Sequence, residues 1–487
     1  MMEKTLSNGS KVTAYPLSIP QQLMFYMAIQ YGSGYPINNI GSGYYWKGEF
    51  DEAIMCECIY EAIRRCDTMR LRFLPDEEYK VVQYVSEKSE LVIEKLDYSN
   101  LSPEAAEKEL TEISRREIPM FDCELHKIAL VKLPDGYNGI FMKLQHLAMD
   151  AYALKIFFTD IIELYLHKAK GKPYPKPMKP YIPVLMKELE YTDSMQHKLD
   201  RQYWFDSLAK TDEPIFTDFM LDNRLKKQQI DNPEQRFADI HSGSPEAGII
   251  KFNMDSDETQ RFMQVCEEKY LSVAAAVSFA IRTVLSAFND NQQDVSFKMI
   301  VNRRGSIAEK KSGGLRLNYL PLRSIVTPDK TFAEAVSIVA QAQNEMYQHC
   351  SLSFMEMLLL RHESMPSQAK ADSTYDSLGL SYQPLMSLPS IDKQMEETAT
   401  SVWYNNGACM LPLYVTVRHR AADKGFEFVF EHRKEPDCVY DLNIFYKKVH
   451  DTIVLCGNRP EITVGEILEK IAVTDDEREV KRNGKAH

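Results

Sequence analysis

No stretch of the 487 residues approaches the roughly 20 consecutive apolar residues that cross a bilayer as a helix, and Met1 to Ala14 is polar, without the apolar segment of a leader peptide. These absences predict a soluble, cytoplasmic protein. Cysteine is sparse and unpatterned. The nine are scattered, Cys56 and Cys58 lie two apart with Cys66 following, and no paired CxxC frame or Cys/His ligand spacing exists. They read as reduced, buried thiols, and no metal site is expected. Positive charge is also short: 58 Lys and Arg against 70 Asp and Glu leave a net charge of −12, which argues against a general nucleic-acid binder. What is plentiful is apolar. A hydrophobic content of 44% excludes a disordered chain, and 487 residues exceed the size at which one core keeps growing, so two lobes are expected. No internal repeat is visible at the level of residues.

The most informative stretch is Asn138 to Lys168, NGIFMKLQHLAMDAYALKIFFTDIIELYLHK. From Gly139 to Gln145 the residues alternate, with Ile140, Met142 and Leu144 on one side and Phe141, Lys143 and Gln145 on the other, the period of a strand with unlike faces. From Tyr152 the period becomes helical: Leu154, Phe157, Ile161 and Tyr165 fall at steps of three and four. His146 and Asp150 occupy the junction. A histidine at the open end of a strand can reach a cavity while the sheet holds its backbone, and a neutral imidazole near pH 7 accepts protons. Each residue also has a plainer reading. A lone histidine is more often structural, and Asp150 stands where a helix N-cap belongs. A second HxxxD, His419 to Asp423 between LYVTVR and FEFVFE, reads as an ordinary hairpin turn, so the pattern is weak without its surroundings.

The surroundings supply more. His146 to Asp150, with a strand before and an apolar helix after, resembles the HHxxxDG signature of nonribosomal peptide synthetase condensation domains and their relatives in the chloramphenicol acetyltransferase-like superfamily. Pro16 to Gln21, PLSIPQ, is similar to the opening PLSxxQ, and Met69 to Phe73, MRLRF, to the LRxxF after the first long helix. Arg304 followed by GLRLNYLPLR, with Gly314, Asn318, Pro321, Leu322 and Arg323, resembles the R…GxxxNxLPLR segment. The similarity runs from about Pro16 to about Leu468.

The resemblance implies an α/β fold of α+β mixed sheets, with two chloramphenicol acetyltransferase-like lobes forming a pseudo-dimer around a tunnel. Residues 15–170 would form the N-terminal lobe carrying the HxxxD motif, and 186–470 the C-terminal lobe. Between them, 171–185 is rich in proline and lysine and reads as an extended, solvated tether or a basic docking patch for an acidic partner. Residues 475–487 read as a disordered tail. Expected elements include helices over Asp51–Arg65, Met186–Leu208, Ser272–Phe288 and Val439–Leu455, a helix opened by Ser102 and Pro103, one or two helices over Phe332–Leu359, and a hairpin from Leu411 to His432.

Carried over by position, His146 would be the catalytic residue, deprotonating or orienting the acceptor. Asp150 would fix its loop through a structural salt bridge to Arg304, with Arg303 the alternative. Gln145, Ala151, Tyr152 and Asn318 would line the tunnel, Asn318 with a turn-capping role as the plain alternative. The chain departs from the family pattern at Gln145, where the first histidine stands, and at Ala151, where glycine stands and the extra methyl would narrow the passage.

Three functions follow. The first is a stand-alone condensation enzyme moving an acyl or aminoacyl group from a carrier-protein phosphopantetheine thioester to an amine or hydroxyl acceptor. The second is an acyl-CoA-dependent acyltransferase using the same histidine. The third is a degenerate binding module. Implied partners are an acyl or peptidyl carrier protein and a small amine or alcohol. No bound cofactor, nucleic acid or membrane span is expected, and a monomer is the default.

Overall fold

A computed structural model describes the chain except residues 32–34, 210–215, 237, 239–243, 365–375, 385–387, 421–422, 436–437 and 483–487. Contacts divide it into two units: residues 1–194, 302–317 and 386–408 form the first, and 195–301, 318–385 and 409–487 the second. The first unit therefore takes two later segments beyond the 15–170 lobe expected from sequence. The strand Thr400–Tyr404 is one cause, since it extends that unit's main sheet by pairing with Asn39–Lys47.

The alternating stretch becomes the strand Tyr137–Gln145, central in a five-stranded sheet among the described residues. Its neighbours, Asn39–Lys47 and His126–Lys132, are both antiparallel to it. Every residue from Gly139 to Gln145 is buried, because both sheet faces are covered. On one face Phe141, Tyr45, Val131 and Tyr404 pack with Leu110 of the helix Pro103–Arg115. That helix starts as its sequence indicates, with Ser102 Oγ accepting from the Ala105 N–H at 3.2 Å and proline in the first turn. On the other face Ile140 stands opposite Tyr44, whose ring centroid lies 6.1 Å from that of Phe158 in the helix Ala151–Lys170. Leu154, Phe157, Ile161 and Tyr165 of this helix are all buried, and it ends at Gly171 in the left-handed conformation, φ 65°, which glycine adopts without strain.

The proline- and lysine-rich stretch is tied down at its far end. The Lys179 N–H donates to the Lys311 carbonyl at 2.8 Å, and the Tyr181 N–H to Asp67 Oδ2 at 2.9 Å. Tyr181 is buried and opens the helix Tyr181–Leu189, so the tether expected to reach 185 stops short of it. The single helix expected over 186–208 is two: Glu190–Asp193 tightens into a 3₁₀ turn and Ser194 is extended, φ −83° and ψ 159°, before Met195–Ala209 begins.

Among the described residues the second unit holds a six-stranded sheet in the order Leu317–Ile325, Asp294–Asn302, Leu378–Gln383, Leu413–His419, Phe426–Arg433, Ala247–Asn253. The inner three junctions include parallel and antiparallel pairs, so the sheet is mixed. One face carries Val295, Phe297, Leu380, Val415 and Phe428 into the large core. Across that core lies the helix Val273–Phe288, in which every residue from Ala275 to Phe288 is buried, as its all-round apolar sequence predicts. The Leu413–His419 and Phe426–Arg433 pair is the expected hairpin, its turn at 421–422 lying outside the described residues. The expected disordered tail is corrected in part: Asp475–Arg482 is a helix. Its start is a capping box, Glu477 N–H to Thr474 Oγ1 at 3.2 Å and Thr474 N–H to Glu477 Oε2 at 2.8 Å. Residues 483–487 lie outside the described residues. No single helix among the described residues is long and apolar enough to cross a membrane.

Candidate active site

His146 is the first residue past the central strand. Its N–H donates to the Asn38 carbonyl at 2.6 Å, and the Leu147 carbonyl accepts from Gln21 Nε2 at 2.9 Å. Gln21 is the last residue of the PLSIPQ stretch, and its Oε1 also accepts from the Ser18 N–H at 2.8 Å. The opening motif thus holds the histidine loop by its backbone. His146 Nδ1 lies 2.9 Å from the Met149 carbonyl. A carbonyl only accepts, so Nδ1 carries the proton, and in the neutral ring Nε2 carries the lone pair. Among the described residues no side chain hydrogen-bonds Nε2. Burial lowers the imidazole below its ordinary 6.5, with the Asp150 charge and the Met149 carbonyl acting in the opposite direction. The ring is neutral at pH 7 and keeps partial exposure.

Asp150 is both a cap and an ion-pair partner. Oδ1 accepts from the Ala153 N–H at 2.9 Å, closing the first turn of Ala151–Lys170. Oδ2 accepts from Arg304 Nη1 at 2.7 Å and from the Arg316 N–H at 2.9 Å. Arg304 has further partners: Nη1 also donates to Asn302 Oδ1 at 2.9 Å, Nη2 to the Gly314 carbonyl at 2.9 Å, and its guanidinium lies 4.9 Å above the centre of the Tyr152 ring. Of the two arginines weighed from sequence, Arg304 is the one that meets Asp150.

Arg303 has a different partner, and here sequence reasoning missed a residue. Glu188 Oε1 accepts from Arg303 Nη1 at 3.1 Å and from the Ile19 N–H at 3.1 Å, while Oε2 accepts from Arg316 Nη1 at 3.1 Å. Arg316 Nη2 reaches Glu309 Oε1 at 3.0 Å. The result is a buried network of three arginines and three carboxylates behind the histidine loop. One sign of it was available: Glu188 follows Val184 at a helical step of four, a carboxylate on an apolar face. Gly314 is required twice over. Its φ of +94° is left-handed, and a Cβ there would lie 2.5 Å from Tyr181 Cε2.

The remaining candidates separate. Ala151 and Tyr152 open the helix beside Asp150 and are half-buried. Gln145 does not join them. It shares a face with Phe141 and Lys143, pairs with Asn39, and is buried beneath Pro103–Arg115, where Lys143 Nζ meets the Arg116 carbonyl and Asn39 Nδ2 meets the Ser114 carbonyl. The period of two that turns Phe141 inward turns Gln145 inward too, away from the loop that follows. Asn318 belongs to the second unit, where Nδ2 donates to the carbonyls of Cys350 at 3.0 Å and Leu352 at 2.6 Å, the turn-tying role. The other HxxxD is a hairpin feature: Asp423 Oδ2 accepts from Arg420 Nη2 at 2.7 Å, and His419 Nε2 lies 2.7 Å from the Tyr382 hydroxyl.

The family to which this histidine loop belongs follows from comparison. The condensation-domain family model matches residues 11–401, and the chain belongs to that family. It is 23% identical over 389 residues to a plipastatin synthase polypeptide of Bacillus subtilis (strain 168), covering 80% of this chain and 14% of that protein. It therefore spans about a seventh of the length of that curated relative. Among solved structures it is similar to the first condensation domain of the calcium-dependent antibiotic synthetase in complex with a substrate analogue, with a TM-score of 0.76 and 18% identity over 93% of this chain and 99% of that one. A variant of the starter condensation domain of rhizomide synthetase, in complex with C8-CoA and Leu-SNAC, gives a TM-score of 0.74 and 16% identity over 93% and 96%. The fold is the chloramphenicol acetyltransferase-like one, with open mixed α/β sheets.

Proposed function

We propose that this chain transfers an acyl or aminoacyl group from a phosphopantetheine thioester to an amine or hydroxyl acceptor, with His146 Nε2 as the proton acceptor. The observation that carries the reading is the Nδ1–H bond to the Met149 carbonyl, which aims the basic nitrogen away from the loop that holds it. The acceptor nitrogen or oxygen attacks the thioester carbon as its proton passes to Nε2. The tetrahedral intermediate then expels the thiolate, which takes the proton back as a thiol, so the histidine is restored and the amide or ester leaves with no net redox change. Asp150, Arg304 and Arg316 position the loop and touch no substrate. The Ala151 N–H, among the unpaired amides of a helix N-terminus, is suited to the developing oxyanion.

A carrier protein is the first donor in this proposal, supported by the family and by relatives named as synthases. CoA is the second, supported by the neighbour whose structure includes C8-CoA. Intact-mass analysis of acyl-loaded carrier protein and of acyl-CoA, each incubated with the chain and pooled amines and alcohols, tests both. Protein-dependent acyl loss with a matching product selects the donor. If neither donor turns over, the chain is a binding module and the proposal fails.

A further inference from the structure

The face of the second unit's sheet opposite its core carries a carboxyl group with no cation paired to it among the described residues. Across five strands one row runs Ile249, Glu431, Tyr414, Gly379, Lys298, each residue directly opposite the next. Glu431 is half-buried, yet no described residue donates to its carboxylate or pairs with it. Three cations on the same face are engaged elsewhere. Lys298 lies 3.8 Å from Asp376 and 4.5 Å from the centre of the Phe354 ring, Arg418 pairs with Glu427, and Arg433 Nη2 donates to the Met410 carbonyl at 2.6 Å.

What surrounds Glu431 instead is aromatic and weakly acidic. Tyr414 is its cross-strand neighbour, and the Tyr319 phenol and the Cys409 thiol lie within electrostatic reach of the carboxylate. The setting is partly screened from water: burial pushes Tyr414 and Cys409 up to about 12, Tyr319 well above its ordinary value, and the Glu431 carboxyl up to about 7. A half-buried carboxylate without a cation is a cost to the fold, and groups perturbed in this way cluster at functional sites. A carboxylate flanked by phenol rings matches an alkylammonium group, which gains from the charge and from the ring faces together and from neither alone as strongly.

We propose that this face of the second unit binds an organic ammonium group, with Glu431 as its counter-ion and the Tyr414 ring beside it. The site belongs to the second unit alone and is independent of acyl transfer by His146.

The test is ligand-observed NMR and calorimetry on the full chain, without any acyl donor, using 1,5-diaminopentane and the isosteric 1,5-pentanediol as probes. The wild type should bind the diamine and not the diol. Glu431→Gln should weaken the diamine at least about tenfold, a change worth about 1.4 kcal/mol, and should unfold no earlier than the wild type. Tyr414→Leu should weaken it less. Equal affinity in the wild type and Glu431→Gln, no diamine binding to the wild type, or a Glu431→Gln chain that fails to fold would each overturn the proposal. Because nothing is turned over, a negative result leaves the acyl-transfer reading standing.

Discussion

Asp150 and Arg304 form an ion pair, 2.7 Å apart with side chains 5% and 1% exposed, in which the carboxylate also caps the helix that follows it. One side chain thus fixes the helix start, the histidine loop and the segment Asn302–Leu317 at once. Removing one partner leaves the other charged and buried. Asp150→Ala should cost about 3–5 kcal/mol in urea unfolding, and Arg304→Met a similar amount. The double variant should lose much less than the sum, because no charge is left unanswered. Additive losses would show that the two do not act as a pair.

The histidines make stability fall in mild acid. Burial lowers His146 below 6.5, and burial lowers His126 to about 4 despite the nearby Glu124. The folded state therefore holds fewer protons than the unfolded chain between the folded values and 6.5, and stability present above pH 6.5 is lost as pH falls toward them. Each site contributes a slope of up to about 1.4 kcal/mol per pH unit. Unfolding free energies at pH 7.5 and 5.0 should differ accordingly, and His126→Gln should flatten the dependence. For the same reason the acid limb of kcat/KM should have its midpoint below 6.5.

Two left-handed glycines separate space from backbone strain. At Gly171, φ +65°, an added Cβ would meet nothing within 4 Å, so Gly171→Ala should cost about 1 kcal/mol. At Gly314 the same strain is joined by the clash with the Tyr181 ring, and its carbonyl is an Arg304 acceptor. Gly314→Ala should cost about 2–4 kcal/mol and lower activity as well. Thermal unfolding of the two variants side by side checks the ranking.

Gln145 tests the distinction between the strand and its loop. Its Oε1 is buried with no hydrogen-bond partner among the described residues. Gln145→Met should leave stability within about 1 kcal/mol of the wild type, or raise it, and should leave turnover unchanged. A large loss of rate with intact folding would return Gln145 to the substrate passage.

Much of this was legible in the sequence because short-range rules set it. The period of two before His146 and the steps of three and four after Tyr152 became the strand Tyr137–Gln145 and the helix Ala151–Lys170. Ser102 and Pro103 opened their helix as read. Position along the motifs brought Asp150 to Arg304, 154 residues apart. What was not legible depended on long-range contacts. Glu188 and Arg316 meet only after folding. Thr400–Tyr404 joins a sheet whose other strands end at Gln145. The motif alone did not show that His146 leaves the strand while its neighbour Gln145 keeps the strand's inward face. The helix over 475–482 was missed although Thr474 and Glu477 spell its cap.

The most direct test of the central claim is single-turnover acyl transfer at pH 7 by the wild type and His146→Ala, from whichever thioester donor the wild type uses. The account predicts that the variant keeps the wild-type unfolding midpoint and loses about 10²–10⁴-fold in rate. An alanine variant that transfers the acyl group at the wild-type rate would contradict it.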